Sequence, residues 1–259
     1  MTEFIKYEVD DGIATLTLNR PQKRNAMNYE MLLGFIEATQ HASEDSSARV
    51  LIVTGSGESF CAGMDLSDFA KTSASGEKLP PLPKSGRWWE LVKCNKPVIG
   101  AIDGPAMGMG AEFSSHCDVR IATARSRFAW NFAQRGLVPD TGAGSWLLPR
   151  LIGHARALHL LYSGEFLSAE QALTLGYINE IVAPENLQER AIELAKLYMQ
   201  SSPFAHARIK ELVYEGFTAE IDDHSKRSAA YLKECFASDD HREGVMSFME
   251  KREAQFTGT

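Results

Sequence analysis

The sequence predicts an α/β fold. Short β-rich runs alternate with helical stretches through the first half of the chain, and from about residue 153 the pattern turns largely helical. A chain of 259 residues can bury roughly three quarters of its unfolded surface. That supports one large core, or a core with an appendage, and requires no metal or disulfide staple.

The elements follow in order. Ile13–Leu18 is a strand closed by Asn19-Arg20-Pro21. Residues 29–42 place Met31, Leu32, Phe35, Ile36 and Thr39 at helical spacing, and residues 49–54 (RVLIVT) form an apolar strand ended by Gly55. Together these read as a strand, strand, helix unit. Residues 71–86, with Pro80, Pro81 and Pro83 among Ser, Lys and Gly, are the most loop-like stretch and are expected to form a mobile flap. Trp88 and Trp89 lie just beyond it. Val98–Ile102 is a third strand running into Asp103-Gly104-Pro105 and a Gly-rich segment that opens a helix, with another strand at 119–122. Ser168-Ala169-Glu170-Gln171 has the form of a capping box, and Gly176 ends that helix before a short strand at 177–182. Ser202-Pro203 starts a further helix that Gly216 stops.

Composition excludes several classes. A net charge of −7, 44% hydrophobic and 24% charged residues describe an ordinary globular protein. No run of about 18 apolar residues is present to span a bilayer, and the first six residues lack a signal core, so the expected address is the cytoplasm. Cys61, Cys94, Cys117 and Cys235 stand far apart, as reduced thiols do. An acidic balance without a Lys/Arg run argues against nucleic acid as a partner. Gly108-Met109-Gly110 begins like a dinucleotide fingerprint but fails at Phe113. No metal-ligand spacing occurs, and His154 and His159, five apart, do not share a helix face. His116 lies one turn after Glu112, where it either tunes that carboxylate or packs beside the next strand.

Two glycine turns each follow a buried strand: SFCAGMDL from Ser59 and GPAMGMGAE from Gly104. Glycine there lets the backbone turn tightly and leaves N–H groups pointing outward at a helix N-terminus, a natural site for negative charge. Two such turns can converge on one oxygen.

The combination of Asn19-Arg20-Pro21 and Asn25-Ala26 with SFCAGMDL, GPAMGMGAE, Cys117-Asp118, GLVPDTGAGSWLLPRLIG from Gly136 and EGVMSFMEKREAQFTG from Glu243 resembles the enoyl-CoA hydratase/isomerase (crotonase) superfamily over essentially the whole chain. The resemblance implies a crotonase-like spiral of strand-strand-helix units at 1–200 and a helical C-terminal region at 201–259 that joins subunits into trimers or hexamers. It implies an acyl-CoA thioester as substrate, with no cofactor beyond the coenzyme A of the substrate, no metal and no membrane partner. Its oxyanion hole maps onto the backbone N–H groups of Met64 and Met109, and its coenzyme A contacts onto Lys23, Arg24, Ala26, Ala62, Asp65 and Leu66.

The first glutamate of the hydratase pattern maps onto Glu112, and the second falls at Phe132, which cannot move a proton. Asp140, in the Val138-Pro139-Asp140 turn, matches the base position of several isomerases of the superfamily. Trp130 and Phe132 are expected to line the acyl pocket. The implied reaction is double-bond isomerisation or hydration of an enoyl-CoA through a stabilised thioester enolate. Thioester hydrolysis, C–C cleavage and a non-catalytic acyl-CoA or RNA-binding homologue are the alternatives.

Overall fold

The computed structural model describes residues 2–68, 90–139, 141 and 143–259. Residues 71–86, where a flap is expected, and Trp88, Trp89 and Asp140 lie outside the described residues.

The chain opens with a hairpin, β1 (Ile5–Asp10) antiparallel to β2 (Ile13–Leu18), turned through Asp11 and Gly12, both at positive φ. From β2 the sheet continues in parallel to β3 (Val50–Gly55), β4 (Val98–Ile102), β6 (Val119–Thr123) and β9 (Glu180–Val182), giving the order β1-β2-β3-β4-β6-β9. A second sheet of three short strands, β5 (Pro105–Met107), β7 (Arg127–Ala129) and β8 (Leu167–Ser168), lies beyond the C-terminal end of β4.

Buried parallel strands carry apolar residues on both faces. In β3, Leu51 and Val53 join a cluster with Leu16, Leu18, Val98 and Ile102, while Val50 and Ile52 join Ile13, Ile99 and Ile121 on the opposite face, as a period of two requires. The first face is covered by α1 (Tyr29–Glu44) through Met31, Leu32 and Phe35, and the second by α7 (Leu187–Met199) through Leu187, Ala191 and Ala195. Asn28 caps α1 by accepting from Met31 N at 2.9 Å. A short helix, α2 (Glu90–Lys93), precedes β4.

The helix that matters most for function is α3 (Met109–His116), every residue of which is buried. Phe113 stacks on Phe35 of α1 at 4.5 Å between ring centres, a contact worth about 1 kcal/mol beyond its area. Its C-terminal end is met by the Arg120 guanidinium, which donates to Ser114 O and Cys117 O, a cation where the helix dipole favours one. The α3 end is thereby fixed from behind.

A π-helical turn (Ala143–Leu147) runs into α4 (Leu148–Ile152), then α5 (His154–Ser163) and α6 (Ala169–Thr174). The predicted capping box at α6 is present: Ser168 Oγ accepts from Gln171 N, and Gln171 Oε1 from Ser168 N. The strand expected at 177–182 is confined to β9, because Tyr177 turns inward and places its hydroxyl at Ser114 Oγ (2.6 Å) and Ser115 Oγ (2.9 Å).

Three helices complete the chain: α8 (Pro203–Gly216), α9 (Ile221–Ala237) and α10 (Asp239–Glu250). The start of α8 at Pro203 and its end at Gly216 agree with the sequence reading. Neither α8 nor α9 contains a fully buried residue. Polar contacts tie α8 to the sheet: Lys210 Nζ lies 2.9 Å from Asp118 Oδ2, and the Tyr214 hydroxyl donates to Asp118 Oδ1 at 3.0 Å.

Candidate active site

The two glycine turns are joined by main-chain bonds. Cys61 N donates to Pro105 O at 3.0 Å and Met107 N to Cys61 O at 2.9 Å, while Met27 N donates to Gly63 O and Asp65 N to Met27 O. Gly63 adopts φ +93°, and a Cβ on it would stand 2.8 Å from Met107 O and 3.7 Å from Met109 N. Only a residue without a side chain lets the first turn approach the second so closely. Beside Met64, Asp65 N is used in these bonds and Gly63 N meets Cys61 Sγ at 3.4 Å, and beside Met109, Gly108 N donates to Ala129 O at 2.8 Å. Among the described residues, the Met64 and Met109 N–H groups themselves donate to no main-chain carbonyl. Met109 is the first residue of α3, where a helix leaves its N–H without an intrahelical acceptor.

Glu112 lies one turn further along α3 and is fully buried. Among the described residues its carboxylate accepts three hydrogen bonds, from Thr141 just before the π-helical turn and from Gly144 within it: Thr141 N to Oε2 at 2.7 Å, the Thr141 hydroxyl to Oε2, and Gly144 N to Oε1 at 2.6 Å. The buried carboxylate is therefore compensated by donors, as an interior charge must be. Thr141 and Gly144 were not legible as site residues. A bend rich in small residues signals a turn, whereas its partner stands 29 and 32 positions away in sequence.

The coenzyme A positions expected from the sequence fall on adjoining loops. Lys23 and Arg24 are exposed at the end of a short 3-10 turn, Ala26 and Ala62 are half-buried, and Leu66 is exposed. Arg24 O accepts from Ala62 N at 2.9 Å, joining the two loops. Asp65 is held otherwise than a ligand-facing carboxylate: it is 8% exposed, bonded to Ser67 and Asp68 N, and paired with Arg20 Nη1 at 2.7 Å. The Ser67 hydroxyl, followed by Arg20, keeps its carboxyl well below the usual range. Its side chain braces the turn that carries Met64.

The two aromatic residues expected at the acyl pocket separate. Trp130 is wholly enclosed and packs edge-on against Tyr177 at 5.2 Å, which makes it a core residue. Phe132 directs its ring toward the second glycine turn, with Cζ 3.9 Å from where a Cβ on Gly108 would be. His116 is fully buried, and burial pushes it down to about 3, so it is neutral and does not act as a cationic partner for Glu112. Burial also pushes the Cys61 and Cys117 thiols up to about 12, which removes both as nucleophiles. Among the described residues, no group of three His, Cys, Asp or Glu side chains is placed to hold a metal ion, and no helix is long and apolar enough to cross a membrane.

Among the described residues, the α/β fold thus carries two main-chain N–H groups that meet no main-chain carbonyl, at Met64 and Met109, and a buried, hydrogen-bonded carboxylate one turn after Met109, an arrangement suited to enzymes that act on polarised carbonyl compounds. The chain belongs to the enoyl-CoA hydratase/isomerase family, whose profile matches residues 8–259. It is 38% identical to the 1,2-epoxyphenylacetyl-CoA isomerase of Escherichia coli K12 across 100% of both chains. It is 34% identical to the crotonyl-CoA hydratase of Syntrophomonas wolfei, covering 98% of each. A crystal structure of enoyl-CoA hydratase from Mycobacterium tuberculosis H37Rv superposes with a TM-score of 0.91 at 33% identity, covering both chains completely.

Proposed function

We propose that this protein moves the double bond of enoyl-CoA thioesters through a thioester enolate. The Met64 and Met109 N–H groups meet the thioester oxygen, and each such donor lowers the barrier by about 3 kcal/mol as charge develops there. Asp140 exchanges the proton at the α-carbon, and Glu112 exchanges one at the γ-carbon. One C–H bond breaks and another forms, so the double bond shifts without net gain or loss of atoms. No cofactor is required beyond the coenzyme A of the substrate, whose phosphates meet Lys23 and Arg24.

The observation that carries this reading over hydration is the side chain at 132. The position that the second glutamate takes in the hydratase pattern is held by a phenyl ring, 8% exposed and directed at the turn that carries Met109. A ring supplies neither a proton nor a hydrogen bond to an attacking water.

The exposed apolar residues Ile209, Val213, Ile221, Leu232, Phe236 and Phe248 on α8 to α10 support a homo-oligomer, a trimer or a pair of trimers, in which residues 201–259 join catalytic cores formed by 1–200. An acidic chain with free thiols fits a cytoplasmic address.

The test is to assay wild type, Asp140→Asn and Glu112→Gln on 2-enoyl- and 3-enoyl-CoA thioesters, with products scored by mass and double-bond position. Interconversion of the two enoyl esters without addition of water, lost in both variants, is the expected result. A hydroxyacyl product as the main outcome, or isomerisation intact in the Asp140 variant, overturns the assignment.

A further inference from the structure

The hydrogen bonds around Glu112 specify more than its position. Thr141 Oγ1 accepts from Ala143 N at 3.4 Å. The hydroxyl proton of Thr141 is therefore free to point at Glu112 Oε2, and with Thr141 N and Gly144 N it makes three donors aimed at one carboxyl group. Two of these are main-chain N–H groups that cannot reverse their role, and hydrogen bonds donated to a carboxyl group favour its ionised form against the desolvation that burial brings. The donors come from Thr141 and from Gly144 in the π-helical turn, and the site has no slack at Gly144. A Cβ there would stand 2.8 Å from Glu112 Oε1 and 3.0 Å from Pro139 Cβ and Cγ.

We infer that Thr141 is a positioning residue that holds Glu112 as a fixed anion, ready to accept a proton from substrate. Thr141 does not touch the reacting atoms. It sets the protonation state and direction of the group that does, so Thr141, Gly144 and the N-terminal turn of α3 act as one unit. This inference rests on the proposed enolate chemistry, because it assigns Glu112 the accepting role at the γ-carbon while proton exchange at the α-carbon proceeds without Thr141.

Position-resolved deuterium uptake in heavy water separates the two sides. A straight-chain 2-enoyl-CoA reports exchange at the γ-carbon, and the matching 3-enoyl-CoA reports exchange at the α-carbon. Thr141→Val removes the hydroxyl and keeps the main-chain donor. It is expected to slow γ-exchange about ten- to a hundredfold, the range for a misplaced catalytic group, with α-exchange changed less than about threefold. Thr141→Ser restores γ-exchange. Equal loss at both carbons in Thr141→Val, no loss at either, or no rescue by serine overturns the inference.

A second readout is independent of turnover. In enzyme labelled with carbon-13 at the glutamate carboxyl carbon, the Glu112 signal is assigned by its disappearance in Glu112→Gln. It should read as ionised at neutral pH and move in Thr141→Val. A protonated signal in the wild type, or no movement in the valine variant, overturns the inference. If the wild type exchanges neither position, the enolate reading has failed, and this signal alone decides the role of Thr141.

Discussion

The Glu112 side of the site and the Lys23–Arg24 side are built on opposite principles. Glu112 is fully buried, held by three donors on a helix with every residue buried, whereas Lys23 and Arg24 are exposed on a short turn. A group whose hydrogen bonds and desolvation are settled at folding reorganises little during reaction, and its loss falls on turnover. An exposed cation meets a phosphate in a screened environment, and its loss falls on binding. Under the proposed function, this contrast separates chemistry at α3 from capture at the first loop.

The largest effect expected from this contrast is in Glu112→Gln, which should lower kcat about 10² to 10⁴-fold with KM little changed; a rise in KM at constant kcat would place Glu112 on the binding side. Gly144→Ala comes next. Its Cβ forces Glu112 Oε1 and Pro139 apart and should lower kcat by about 10²-fold, again in steady-state kinetics. The double variant Lys23→Ala with Arg24→Ala should leave kcat within about twofold and raise KM about three- to tenfold at low salt, an effect of roughly 1 kcal/mol. Raising the ionic strength should narrow that difference, and a salt-independent KM would break the comparison.

The smallest effect concerns His116, on the same buried helix. Its folded value is pushed down from 6.5 to about 3 by burial, so between those values the unfolded chain binds the extra proton. Stability is therefore complete above about pH 6.5 and declines as pH falls, by about 1.4 kcal/mol per unit for this group. Urea unfolding at pH 7, 6 and 5 should show a shallower decline in His116→Gln, by one proton. An unchanged slope would show that His116 takes up its proton in the folded state.

What the sequence discloses follows from how local each signal is. Strands β2 to β4, α1 and the start of α8 are legible because periodicity, Asn-Arg-Pro, Gly55 and Ser202-Pro203 lie within each element. Strand β1 is not: IKYEVD is a charged edge strand paired only with β2, and its burial is confined largely to Ile5. The three-residue strands β5 and β7 are too short to show a period. In the site, the two glycine turns are legible as turns, while the roles proposed for Met64, Met109 and Glu112 come from the family resemblance and not from the turns themselves. Thr141 and Gly144 act through main-chain N–H groups, which every residue type but proline has, and their target is distant in sequence. Sequence order likewise does not report that the Asp65 side chain pairs with Arg20 or that Trp130 packs against Tyr177.

The central claim is that the Met64 and Met109 N–H groups polarise a thioester carbonyl. It is tested most directly by binding an acyl-CoA labelled with carbon-13 at the thioester carbonyl and recording that resonance in the bound state. The account predicts a downfield shift from the free ester, together with deuterium uptake at the neighbouring carbon. A bound thioester whose carbonyl resonance matches the free compound would contradict it.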